Sequence, residues 1–294
     1  MKIIIFGSTG MLGQALLKET QNRNYSAIGI ARKNADICAD IMNDSVLRKI
    51  LSTTKPDVVI NTVAVVNLDE CENNAAYAYL VNARPASILS DMCNRIDAYY
   101  VHISTDHYFT GDKDKKHDET YPVKIVNEYA RTKYAGEFFA LLNPQALVVR
   151  TNIVGFRNLK DHPTFLEWVI ESLKKDIPIT LFEDYFTSSI NVTQVSTHLF
   201  DLINKRACGV VNLASREVKS KKDFIEAIAH RLNIHLSRIE IGSVFNLHGV
   251  PRAESLGLDV TKAENILGYR LPTFEQVISS IIKDYSNLEG YNAI

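Results

Sequence analysis

The sequence predicts an α/β fold: a Rossmann-type doubly wound parallel sheet with a smaller C-terminal α/β lobe. Three observations carry this. Short apolar runs alternate with helical patterns over the first 150 residues, as in a parallel sheet covered on both faces. The first run, Ile3-Ile4-Ile5-Phe6, leads into glycines at 7, 10 and 13 and then into a helical pattern. At 294 residues, with 46% hydrophobic and 23% charged residues, the chain is long enough for one large core plus an accessory lobe.

Taken in order, a buried strand at 3–6 is a continuous apolar run, followed by a helix near 11–22. Ser26-Ala27-Ile28-Gly29-Ile30 is the second strand, with a helix near 44–52 after it, and Asp57-Val58-Val59-Ile60-Asn61 is the third. A long helix near 73–96 precedes the strand Tyr99-Tyr100-Val101-His102-Ile103. A helix through 127–142 precedes Ala146-Leu147-Val148-Val149-Arg150. Beyond Arg150 the pattern loosens. Helices are expected near 162–175 and 193–205, a late strand at 209–213, a helix from about 216 to 232, and short helices around 261–267 and 273–286. The expected division is residues 1–151 plus about 188–214 in the sheet domain, with about 152–187 and 215–294 in the lobe. The charge run from Asp112 to Glu119 reads as a solvated loop, and Trp168 as core or lobe packing.

A net charge of −1 provides no basic field for nucleic acid and no polybasic patch for a membrane. Cys38, Cys71, Cys93 and Cys208 are scattered, so free thiols are expected rather than a zinc cage or a disulfide framework. No stretch reaches the ~18 apolar residues of a membrane span, and the strand and glycine turn occupy the start of the chain. A cytoplasmic protein is expected.

The chemistry starts from Tyr129 and Lys133. A phenol and an ammonium at i and i+4 share a helix face, where the cation acts on the phenol's proton. The glycine turn supplies the neighbour: Gly7 makes a tight turn, Gly10 lets backbone approach a diphosphate, and Gly13 lets helix pack on strand. Strand, glycines and helix in that order are the context of a dinucleotide site.

Four segments together resemble the extended short-chain dehydrogenase/reductases, and within them the dTDP-4-dehydrorhamnose reductase group. They are GSTGMLGQAL at 7–16, Val81-Asn82-Ala83, ISTDHYFTG at 103–111 and EYARTKYAGE at 128–137, with Val149-Arg150-Thr151 and Gly155 continuing the match. The resemblance implies NAD(P)H-dependent reduction of the 4-keto group of a nucleotide-diphospho-6-deoxyhexose, for surface polysaccharide. It assigns Thr105, Tyr129 and Lys133 as catalytic: Tyr129 gives its proton to the sugar carbonyl oxygen, Lys133 stabilises the phenolate and holds the nicotinamide ribose, and Thr105 fixes the oxygen. The cation is expected to draw the phenol below its ordinary pKa of about 10. Thr9, Met11 and Leu12 join the glycines in the cofactor turn, Asp40 and Ile41 resemble the adenine-edge contact, and Asn61, Ala64 and Val65 follow the third strand beside the cofactor. Val66, Asp106, His107, Asn152 and Arg252 join Thr105 on the substrate side.

Cofactor choice turns on the end of the second strand. An acidic residue there would bond the ribose of NAD; Ala31-Arg32-Lys33 instead puts two cations where a 2′-phosphate would lie. NADP(H) is favoured, NAD(H) and two solvated cations being the alternatives. Related dehydratases resemble Thr-Asp-Glu where this chain has Thr105-Asp106-His107. The missing glutamate favours reduction, and His107 reads as a loop residue at the substrate mouth. Arg252 matches a late arginine of the family, a diphosphate clamp or a surface residue. The family's Asp-Gln-x-Gly-x-Pro-Thr segment reads Glu183 to Ser189 here, which leaves sugar and nucleotide open. The implied partner is a nucleotide-sugar, with a homodimer allowed and no metal expected. The alternatives are a non-catalytic subunit resembling the regulatory β subunit of methionine adenosyltransferase, and a sugar-nucleotide epimerase.

Overall fold

Seven parallel strands form the main sheet in the computed structural model, which describes residues 1–159 and 162–292. Their spatial order is Gly209–Asn212, Leu147–Arg150, Tyr99–Ile103, Val58–Asn61, Lys2–Phe6, Ser26–Ala31 and Ile37–Cys38. The chain runs outward from Lys2–Phe6 in one direction, then returns and continues in the other. The crevice at the carboxyl ends of Lys2–Phe6 and Val58–Asn61 is therefore the switch point at which such sheets bind ligands.

Period-two alternation explains the two cores. Ile3, Ile5, Val58, Ile60, Val101 and Val149 face one side and pack with Leu12 and Leu16 of the helix Met11–Asn22 and Leu199 of Val192–Asn204. Ile4, Phe6, Val59, Tyr100 and Val148 face the other side and pack with Leu47 of Asp44–Thr54 and Leu89 of Arg84–Arg95. Both faces are covered, which is why each strand is apolar throughout.

The strands and helices expected over the first 150 residues are present, with one correction. The long helix near 73–96 is three: Leu68–Asn73, Ala75–Asn82 and Arg84–Arg95. Asn74 leaves helical geometry (φ −138°, ψ 63°) and caps the second through Tyr77 N–H, and Pro85 lies in the first turn of the third, where its missing N–H costs nothing.

The lobe is built on pieces too short for any periodicity. Lys219–Ser220, Phe186–Thr187, Ser255–Leu258 and Lys116–His117 form a four-stranded sheet in that order, and Ile179–Phe182 pairs with Ile239–Gly242. The expected helix 216–232 starts only at Lys221, behind a Ser220/Asp223 capping box. The charge run at 112–119 is not simply solvated: His117 is fully buried, stacked on Phe109 at 4.1 Å, with Nδ1 2.8 Å from Gly257 O. Trp168 lies exposed beside Phe165 on the lobe surface, not in a core. Among the described residues no helix is long and apolar enough to cross a membrane.

Candidate active site

The glycine turn is built as its spacing requires. Gly7 has φ +84°, and a Cβ there would stand 2.4 Å from Thr62 Oγ1; a Cβ at Gly13 would stand 2.1 Å from Gly7 O. Gly10 is the N-cap of Met11–Asn22 and brings no side chain to satisfy the first-turn N–H groups, which leaves them for a ligand's oxygens. Gly7, Thr9, Gly10, Arg32, Asp40, Ile41 and Val65 line one cavity of about 210 Å³. Thr9, Arg32 and Lys33 line its neighbour of about 980 Å³, together with Gln14 and Asp36. A glycine cradle that side chains would fill, opening onto two cations, fits a dinucleotide.

Other expected cofactor residues act indirectly. Leu12 is buried in the core, so only its backbone faces the turn, and Met11 packs against the same core. Asn61 is buried, its Oδ1 accepting from Val63 N–H at 3.1 Å, so it shapes the loop. Asn82, whose role the motif Val81-Asn82-Ala83 did not disclose, pins that loop. Its Oδ1 accepts from Val65 N–H (2.8 Å), and its Nδ2 donates to Val65 O (3.1 Å) and Thr132 Oγ1 (3.0 Å). Ala64 sits between these pinned neighbours, and Val66 is 68% exposed.

Thr105, Tyr129 and Lys133 are all buried. Thr105 follows the end of the strand Tyr99–Ile103, and the other two lie on the helix Glu128–Ala140. Asn127 starts that helix: its Oδ1 accepts from Ala130 N–H (2.8 Å) while its Nδ2 donates to Pro251 O (2.9 Å). The Thr105 hydroxyl, which donates to Asp106 Oδ1 at 3.4 Å, also acts on the Tyr129 phenol. Burial pushes the phenol up to about 12, with the Thr105 hydroxyl opposing and Asp106 and Cys71 adding to the rise. The expected downward pull from Lys133 is not what the geometry gives. Its Nζ donates to Ile103 O at 2.6 Å, and burial draws the ammonium itself down to about 8, Glu137 opposing. Tyr129 is thus a firmly protonated donor, and Lys133 a cation close to losing its charge.

Of the residues expected on the substrate side, Thr105, His107 and Asn152, though not Val66, gather around Asp106. Its Oδ2 accepts from Asn152 Nδ2 at 2.6 Å, and Asn152 Oδ1 accepts from Ser189 Oγ at 2.8 Å, so the divergent 183–189 segment reaches the site through hydrogen bonds. Burial raises the Asp106 carboxyl to about 7, opposed first by the Asn152 bond. His107 stands edge-on to Tyr129 with ring centroids 5.4 Å apart. Burial lowers it to about 4, with Lys221 and Arg252 contributing, so the ring is neutral and no acid at physiological pH. Arg252 is exposed, yet its charge reaches His107 and Tyr185. Tyr185 and Lys221 were absent from the expected set; both lie in segments whose placement only long-range pairing decides.

A family model for the RmlD substrate binding domain matches residues 1–287. The probable low-salt glycan biosynthesis reductase Agl14 of Haloferax volcanii is 27% identical over 300 residues, covering 98% of this chain and 100% of that protein. The dTDP-4-dehydrorhamnose reductase of Mycolicibacterium smegmatis is 36% identical over 155 residues, 51% of this chain and 45% of that enzyme. Among solved structures, dTDP-4-dehydrorhamnose reductase from Bacillus anthracis in complex with NADP has a TM-score of 0.87 at 24% identity, covering 96% of this chain and 99% of that one, a likeness of fold. The match to the family model runs from the first strand into the helix Phe274–Asn292, so it takes in sheet, site and lobe together: the whole chain belongs to the RmlD substrate binding domain family.

Proposed function

We propose that the chain reduces the 4-keto group of a nucleotide-diphospho-6-deoxyhexose with NADPH, in the synthesis of a surface glycan sugar. The observation that carries this is the buried Thr105 and Tyr129 brought together at one strand end, with Lys133 one turn along the helix from Tyr129. NADPH in the glycine cradle would supply the hydride. Tyr129 holds the proton at its hydroxyl and gives it to the carbonyl oxygen as charge develops there. Thr105 donates to the same oxygen and fixes its position. Lys133 reaches its working position by leaving the Ile103 carbonyl, its cation balancing the phenolate left after transfer. His107, neutral where a dehydratase-like site would place a carboxylate, supports reduction over dehydration.

The same reading places Arg32 and Lys33 at a 2′-phosphate, residues 1–151 with about 188–214 as the cofactor domain, and the protein in the cytoplasm. The Agl14 and dTDP-4-dehydrorhamnose reductase relatives support the substrate class. The test is NADPH and NADH against dTDP-, UDP- and GDP-linked 4-keto-6-deoxysugars, followed at the nicotinamide absorbance. Oxidation of NADPH with one sugar is expected; none with any sugar overturns the reading, and product without net absorbance change points to epimerisation.

A further inference from the structure

Lys221 breaks a local rule. It is the first residue of the helix Lys221–Arg231, where the backbone dipole disfavours a cation. The helix's first-turn acid, Asp223, does not answer it, because its carboxylate closes the capping box on Ser220 N–H at 3.0 Å. Among the described residues the ammonium makes no hydrogen bond and no contact ion pair. It rests over the Phe165 ring at 4.2 Å and near Tyr185 at 5.7 Å. A partly buried ammonium held on aromatic faces, at the wrong end of a helix, with its three donors unused, is an arrangement that a ligand completes.

Its direction identifies the ligand. Lys221 acts electrostatically on both Asp106 and His107, and Arg252 acts on His107 from the loop at 251–254. Lys221 and Arg252 both bring positive charge to the neutral His107 ring beside Tyr129, and Asp106, the one charge that acts on Lys221, has Oδ2 already engaged by Asn152. The seat of Lys221 is the divergent segment itself, since its backbone N–H donates to Tyr185 O at 2.9 Å.

We propose that Lys221 is a substrate-binding and specificity-determining residue that receives anionic oxygens of the nucleotide-sugar, either its diphosphate or a carboxylate carried by the sugar. This rests on the reductase reading for the identity of the ligand, and binding tests it without turnover. Lys221→Met keeps the apolar stem over Phe165 and removes the charge. Calorimetric titration of parent and variant uses dTDP and UDP (no sugar), UDP-glucose (neutral sugar) and UDP-glucuronate (anionic sugar), with NADPH as control. Loss of a charge-assisted hydrogen bond in a partly buried site weakens binding by about 10- to 100-fold. Such a loss for dTDP or UDP assigns Lys221 to the diphosphate; a loss confined to UDP-glucuronate assigns it to the sugar. Equal affinities in parent and variant overturn the proposal, as does an equal loss for NADPH. If the Met variant does not unfold cooperatively, Lys221→Gln is read in the same titrations. A parent that binds these ligands but oxidises no NADPH counts against the reductase reading alone; a parent that binds none of them overturns both.

Discussion

The two ends of the helix Glu128–Ala140 hold charges in opposite ways. Near its C-terminal end, Glu137 is fully spent. Its carboxylate accepts from Arg150 Nη2 at 2.7 Å, Arg150 Nε at 3.0 Å and Ser104 Oγ at 2.6 Å, and the guanidinium lies over Tyr108 at 5.1 Å. At the other end Tyr129 faces Thr105, Asp106 and His107, with Lys221 uncommitted beyond them. At the first end the carboxylate is satisfied and, among the described residues, only Arg150 Nη1 is left without a partner, inside a locked ion pair; at the other end the polar groups face a space a ligand can enter, where an unpartnered group is costly until something binds it.

The sharpest separation is kinetic. Tyr129→Phe should lower kcat by ~10²–10⁴-fold, the usual worth of a positioned acid, while NADPH affinity and Tm stay near the parent's. Equal turnover in the variant would remove the open end from the chemistry. At the closed end the expectation reverses. Glu137→Ala strands Arg150 in the interior and should cost about 3–5 kcal/mol in a urea unfolding titration. A loss below ~1 kcal/mol would mean that the knot is not what anchors the helix.

Lys133 joins the two ends, and its charge sets the alkaline limb. With the ammonium drawn down to about 8, kcat should fall roughly tenfold per pH unit above that value, and a profile flat to about pH 9.5 would exclude a need for the cation. At the rim of the cofactor cavity, Arg32→Ala with Lys33→Ala should raise KM for NADPH by about 10-fold and leave NADH unchanged, as expected of exposed cations facing a phosphate.

The smallest effect is in stability. Because burial holds Asp106 at about 7, the folded chain binds its proton more tightly than the unfolded chain, whose aspartate titrates near 3.9. That contribution is complete below about pH 4 and is lost as pH rises through 7. Asp106→Asn should therefore raise Tm by a few °C near pH 8.5, with little change near pH 4. A shift of equal size at both would assign the effect to packing instead of charge.

What was legible in the sequence follows the same division. The parallel sheet and the glycine turn could be read because their signals are local: apolar runs, helical periods, and three glycines whose spacing is enforced by backbone contacts at Gly7 and Gly13. That Thr105, Tyr129 and Lys133 would be brought together was legible through their motifs, whereas their roles remain the proposal's. The lobe was not, because two-residue strands such as Phe186–Thr187 have no period and acquire their place only by pairing with Ser255 and Leu256 far along the chain. Lys221 was hidden for that reason, and Lys133's partner was hidden because a backbone carbonyl leaves no mark in the side-chain pattern.

Asn127 joins the proton donor to the lobe with a single side chain, its oxygen holding the start of the helix and its nitrogen holding Pro251, one residue before Arg252. The helix that carries Tyr129 and the loop that carries Arg252 thus share one bolt. Aspartate would preserve the cap and sever the tie, so under the proposed mechanism a single amide nitrogen couples the position of the 251–254 loop to the alignment of Tyr129.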